Sequence, residues 1–309
     1  MSTSRRTFIQ TSLVATAAAA LPARLAAAPN APAAARDYYE LRCYHLQADS
    51  RLKADANPAL LDRYLEQALL PAVSKLGLKN TGVFTELNVN KAAGTSTPKL
   101  SSPVWLLLTH PTLESFVQVS ATLNADPAVQ LAGGDYLSAP KNQPAFERID
   151  TWLLRSFQGL PQMSVPLFSQ QRSPGRVFEM RDYESHGELP ALRKMAMFDE
   201  GEINLMQDLG LNPVCFGQAL AGPDLPHLRY ITSGPDLTTH LHHWSKFGPD
   251  PRWLAIKDLP RFANTVSKNT ARFLTPKPYS EIGPRLRPAS NWKAQGDCHE
   301  RGGAKSADL

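Results

Sequence analysis

Tyr39-Glu40-Leu41-Arg42-Cys43-Tyr44 returns later in the chain as Phe178-Glu179-Met180-Arg181-Asp182-Tyr183, and Leu76-Gly77-Leu78 returns as Leu209-Gly210-Leu211 at a similar distance downstream. A pattern that recurs in order and at matched spacing marks one folding unit present twice. Within each hexamer the side chains alternate between two unlike sets, Tyr39, Leu41 and Cys43 against Glu40, Arg42 and Tyr44 in the first copy. That is the period-two signature of a strand.

After the first hexamer, Asn57-Pro58 reads as a helix start, a cap residue followed by proline. Leu61, Leu65, Leu69, Val73 and Leu76 follow at helical spacing and Gly77 ends the run, with Pro71 expected to kink it. Thr81–Leu87 is expected as a strand, 94–103 as a Gly, Ser, Thr and Pro loop, and Val104–Thr109 as an apolar strand. Helices starting near Pro111 and at Asp126-Pro127 come next, then a strand over Ile149–Arg155. The second copy repeats the order: strand Val177–Tyr183, helix to Leu209, strands Pro213–Leu220 and Leu228–Ser233, helix Leu237–Phe247, an Asp250-Pro251 helix start and a strand over Thr270–Leu274. Ser185-His186-Gly187-Glu188 fits a capping box, although Pro190 would put the helix start nearer Leu189. Strand, helix, strand, strand, helix, strand is the split βαβ, ferredoxin-like arrangement. The expected fold is therefore α+β, with two tandem ferredoxin-like units at 37–157 and 175–282, a linker at 158–174 and a disordered tail at 283–309.

Ser4-Arg5-Arg6-Thr7-Phe8-Ile9, followed by an apolar stretch from Leu13 to Leu21, resembles a twin-arginine export signal. The stretch is shorter than the ~20 residues that span a bilayer, so residues 1–35 are taken as a signal removed near Ala33-Ala34-Ala35. The expected address is periplasmic or extracytoplasmic, with no stable membrane span in the mature form. The formal charge of +5 falls to +2 when Arg5, Arg6 and Arg24 leave with the signal. A nearly neutral mature chain without a clustered basic face gives no support to nucleic-acid binding. Cys43, Cys215 and Cys298 are odd in number and lack CxxC spacing, which indicates neither a disulfide framework nor a zinc site.

Three further runs in the second half carry a resemblance: 178–186 (Phe-Glu-Met-Arg-Asp-Tyr-Glu-Ser-His), 197–203 (Met-Phe-Asp-Glu-Gly-Glu-Ile) and 209–214 (Leu-Gly-Leu-Asn-Pro-Val). Together with Tyr39-Glu40-Leu41-Arg42 and Pro276-Lys277-Pro278-Tyr279-Ser280, they make residues 37–282 similar to the NIPSNAP family. The resemblance implies ferredoxin-like units of the dimeric α+β barrel type, which pack their sheets into a barrel and here lie in one chain. It leaves activity open, since barrels of this architecture include cofactor-free oxygenases, haem-degrading enzymes and small-ligand binders.

If the more apolar set of each hexamer faces the helices, Glu40, Arg42 and Tyr44, with Glu179, Arg181 and Tyr183, point into the barrel lumen. There Arg could hold a carboxylate or enolate, Tyr could donate a proton and Glu could serve as base; mutual neutralisation of each Glu and Arg is the structural alternative. His186, just after the second strand, is expected at the barrel mouth as acid, base or haem ligand. His240, His242 and His243 lie on one helix, but at most two share a face, and no carboxylate sits at ligand spacing, so no metal site is expected. No Gly-rich phosphate loop, GxSxG or HExxH occurs. These residues lead to a lumen that binds a small apolar or aromatic molecule, as a cofactor-independent oxygenase or isomerase. The alternatives are a non-catalytic interaction module, or a haem-binding protein. A homo-oligomer is compatible with all three.

Overall fold

The computed structural model describes residues 35–46 and 56–282, and these form one compact unit. The expected signal peptide and C-terminal tail fall outside the described residues. In chain order the elements are β1 (Tyr38–His45), α1 (Pro58–Tyr64), a π-helical turn (Leu65–Leu69), α2 (Leu70–Lys75), β2 (Gly82–Asn90), β3 (Thr95–Pro98), β4 (Val104–His110), α3 (Leu113–Ala125), α4 (Pro127–Leu137) and β5 (Arg148–Ser156). Then come α5 (Leu167–Gln170), β6 (Val177–Glu184), α6 (Glu188–Met197), a second π turn (Phe198–Glu202), α7 (Ile203–Asp208), β7 (Cys215–Ala221), β8 (His227–Gly234), α8 (Leu237–Phe247), α9 (Pro251–Lys257) and β9 (Lys268–Pro276).

Helix starts follow the sequence logic. Asn57, Asp126 and Asp250 each cap a helix whose first residue is proline, their side chains accepting a backbone N–H. The capping box at 185–188 does not form: α6 begins at Glu188 without a side-chain cap, and Ser185 Oγ donates to the Thr265 carbonyl instead. The helix expected through Leu76 is interrupted by the π turn at 65–69, which ends two residues before Pro71. The loop expected at 94–103 holds β3, which pairs with the end of β2 in a hairpin.

Eight strands close into an antiparallel barrel in the order β2-β4-β1-β5-β7-β8-β6-β9, and β9 returns to pair with β2. β3 extends from β2 beyond the ring. The helices of the first half pack on the outside of its four strands, and Tyr44, Val83, Leu106 and Leu108 meet Leu61, Leu65, Leu69 and Val73 there. In the second half Tyr183, Phe216, Leu228 and Tyr230 meet Phe198, Ile203 and Met206 in the same way.

The lumen is itself a packed core. Tyr39, Leu41, Phe84, Trp105, Leu107, Trp152, Phe178, Met180 and Ile231 fill it, drawn from six of the strands. An eight-stranded barrel is just wide enough for its inward side chains to fill. Each large side chain buried there contributes about 1.5–3 kcal/mol relative to exposure.

Candidate functional site

The inward face is the reverse of the one expected from sequence. Tyr39, Leu41 and Cys43, with Phe178, Met180 and Asp182, point into the lumen, while Glu40, Arg42, Tyr44, Glu179, Arg181 and Tyr183 lie under the helices. The physical reason is that both faces of this sheet are covered. The narrow barrel interior takes the apolar set, and the charged set is placed where helix and strand-end side chains can satisfy it.

Under the helices each half builds the same buried network. Glu40 accepts from Arg42 Nε at 2.5 Å and faces His110 Nε2 at 3.0 Å, while His110 Nδ1 lies 3.0 Å from Ser115 Oγ on α3. Glu179 accepts from Arg181 Nε at 2.9 Å and faces His240 Nε2 on α8 at 2.8 Å. The Arg181 guanidinium stacks 3.9 Å above the Trp244 ring. Burial alone would raise both carboxyl groups, but the histidine hydrogen bond and the arginine charge together outweigh it and hold each below its ordinary value. Tyr183 Oη lies 3.3 Å from Tyr230 Oη. Beside it Lys194 is buried against Phe198, Tyr183 and Trp253 and donates to Glu202 at 3.0 Å. His186 is exposed after β6, apart from both networks. Sequence reading missed His110, and it considered His240 only as a metal ligand, not as a partner of Glu179.

The two barrel ends differ. At the end holding Tyr39 and Phe178 the lumen is plugged by Met163 and Val165 from the segment between β5 and β6, and by Ile282. The opposite end is charged. Asp182 accepts from Arg229 and from Arg272, and Glu86 accepts from Lys99 at 2.5 Å and from Trp105 Nε1 at 3.0 Å. Arg272 Nε lies 3.8 Å from Glu86, and the Arg229 guanidinium sits 4.2 Å from the Trp152 ring centre. Three cations against two carboxylates leave this cluster one positive charge in excess. Next to it His45 Nε2 and Asp150 form a separate pair at 2.8 Å. The Asp182 carboxyl stays below its usual value, since the two arginines outweigh the effect of burial. Burial pushes the Cys43 thiol up to about 12, and it is inert as a nucleophile.

The charged end opens into a cleft of about 460 Å³ between the β2–β3 hairpin and β9, lined by Glu86, Lys99, Arg272 and Phe273. Its volume lies in the range of small-molecule sites. Among the described residues no group of histidine, cysteine, aspartate and glutamate is arranged to hold a metal ion. No helix among them is long and apolar enough to cross a membrane.

Residues 178–281 match the NIPSNAP family model. The chain carries a NIPSNAP domain. That match begins at the second Glu–Arg network and runs through β9, so it contains Asp182, Arg229 and Arg272 of the charged end. Residues 2–22 match the model for the twin-arginine translocation signal, so the chain is addressed to twin-arginine export. No curated protein matches it. Among solved structures it is similar to a monooxygenase candidate from Lactobacillus acidophilus, at TM-score 0.47 and 7% identity over 80% of this chain and 97% of that one. A NIPSNAP family protein from Agrobacterium tumefaciens matches at TM-score 0.30 and 22% identity over 36% of this chain and 99% of that one. A haem-binding protein from Thermus thermophilus matches at TM-score 0.38 and 10% identity, covering 80% and 94%.

Proposed function

We propose that this exported NIPSNAP chain binds a small aromatic molecule carrying one negative charge, held at the charged mouth of the barrel rather than at its centre. The observation that carries the reading is the cleft of about 460 Å³ on Lys99, Glu86 and Arg272, backed by Arg229 and Trp152. A net positive group of fixed donors beside indole rings recognises an anion on a planar body. The packed lumen is what the interaction-module alternative requires, but that alternative gives no role to a charged cleft. Haem does not enter the reading: His186 is exposed, and Tyr39, Phe84 and Phe178 occupy the lumen.

The same reading takes 37–157 and 175–282 as two ferredoxin-like units joined by the 158–174 linker. It is supported by their shared element order and their shared Glu–Arg–His networks. In it Glu40, Arg42, Tyr44, Glu179, Arg181 and Tyr183 fasten helices to the sheet, and His186 stands outside the site.

Benzoate is the probe, with benzyl alcohol as the uncharged control. Millimolar benzoate is expected to raise the melting temperature of the mature protein and benzyl alcohol is not. Arg272→Ala should weaken benzoate at least ~10-fold, the loss of one charge-assisted hydrogen bond of about 1.5–3 kcal/mol. No benzoate effect on the wild type, or an unchanged affinity in Arg272→Ala, would remove the mouth as the site.

A further inference from the structure

Two buried polar atoms on successive inward positions of β8 have no hydrogen-bond partner: His227 Nε2 and Arg229 Nη1. Leaving such groups unmatched costs about 1–3 kcal/mol each. They are complementary. His227 Nδ1 lies 3.0 Å from the Asp224 carbonyl oxygen, which can only accept, so Nδ1 carries the proton and Nε2 presents a lone pair. Arg229 is 4% exposed, pinned by Asp182 on one side and by the Trp152 ring on the other, and Nη1 remains a free donor. A lone pair and a cationic donor are therefore both unmatched on one face of β8, two residues apart.

The turn between β7 and β8 fixes both. Trp152 Nε1 donates to the Pro223 carbonyl at 3.1 Å. Gly222, at φ 126°, lies so close that a Cβ would stand 2.7 Å from the indole and 2.8 Å from the Thr151 carbonyl, so only glycine fits. The histidine tautomer and the indole under the arginine thus depend on one turn.

We propose that His227 and Arg229 form a proton-transfer pair acting on a carbonyl acid. Arg229 Nη1 holds the carbonyl oxygen and His227 Nε2 takes a proton from the adjacent carbon. Same-face residues on a strand stand about 6.6–7 Å apart. That span accommodates a carbonyl oxygen and a neighbouring C–H, each about 3 Å from its protein partner. The step balances without an oxidant or cofactor. The C–H bond breaks, its electron pair becomes the enolate C=C bond, the carbonyl π pair moves to the oxygen held by Arg229, and the proton resides on Nε2. Returning the proton gives exchange or isomerisation. Burial and then the Arg229 charge lower the His227 pKa, which keeps the imidazole neutral and able to accept. The charged groups facing it are Arg229 on its own strand, Asp182 and Glu184 on β6, and Asp224 in the turn. Both atoms are closed to water in the free chain, so a substrate enters by displacing the indole while the Asp224 carbonyl keeps its hold on His227 Nδ1.

The inference rests on the mouth as the binding site, and its test separates the two. Phenylpyruvate, an aromatic α-keto acid, is incubated with the mature full chain in D2O while its methylene proton signal is followed by NMR. Binding is read in parallel by thermal shift. Wild type is expected to exchange the methylene protons at least ~100-fold faster than a buffer control, and His227→Gln to lose that acceleration while still binding. Binding with no exchange, or with exchange equal in His227→Gln, overturns the proton-transfer pair and leaves the binding site standing. No binding overturns both. A measurement that needs no variant is 15N NMR of the histidines. A His227 held as the Nδ1–H tautomer and titrating below about 6.5 is expected, and the Nε2–H tautomer would overturn the assignment.

Discussion

Glu179→Ala removes the acceptor at the centre of a sealed network. Glu179 is fully buried and takes Arg181 Nη2 at 2.8 Å and faces His240 Nε2 at 2.8 Å. Without it a guanidinium stacked on Trp244 loses its counter-charge and a fully buried imidazole loses its contact with the carboxylate, while both stay desolvated. Removing one partner of such a buried set costs about 3–5 kcal/mol, a large share of the 5–15 kcal/mol that holds a typical domain together. With a urea slope near 2–3 kcal/mol/M, the unfolding midpoint at pH 7 should fall by about 1–2 M. The effect should depend on pH. The carboxyl is held below its unfolded value, so its contribution is complete above about pH 4.3 and is lost as pH falls through the folded-state pKa. The gap between wild type and variant should therefore shrink on acidification. Urea titrations followed by tryptophan fluorescence at pH 7 and pH 3.5 measure both quantities. A loss under about 1 kcal/mol at pH 7, or a gap that does not shrink, would show that the network does not fasten the helices to the sheet.

Two other outcomes test the packed lumen. Gly217→Val should cost about 1–3 kcal/mol, because a Cβ at that position would stand 2.8 Å from Leu154 Cβ and 3.6 Å from the Tyr39 ring; an unchanged or higher melting temperature would mean the lumen has room. Cys43 and Cys215 are both buried with thiols pushed up to about 12, so neither should react with a thiol reagent until the protein unfolds, and prompt native labelling of either by peptide mapping would contradict their placement.

The element order was legible because it is written in local signals. Asp-Pro and Asn-Pro starts, Gly77 and Gly210 after helices, and alternating strands need only nearest neighbours in sequence to be read. The inward face was not. Alternation tells two faces apart but not which is inside, and here both are covered, so the polar set was assigned to the wrong side. The partners that make Glu40 and Glu179 tolerable, His110 and His240, lie 70 and 61 residues away. No spacing rule joins them. One signal for the mouth did exist in the repeated hexamer. Its fifth position is Cys43 in one copy and Asp182 in the other, and a charge replacing a small apolar residue at an inward position marks where the halves differ in chemistry. The match of Asp182 to Arg229, 47 residues on, needed the β6–β8 register to be seen.

β9 has a neighbour on each side, β6 from its own half and β2 from the other, and it is the last in chain order of the described strands. Until residue 276 has left the ribosome, two seams of the ring stay unzipped. The address for export, at residues 2–22, is synthesised first. Because the twin-arginine route carries folded cargo, the export signal must wait for β9. A truncation inside 268–276 should therefore strand the protein in the cytoplasm with its export label intact.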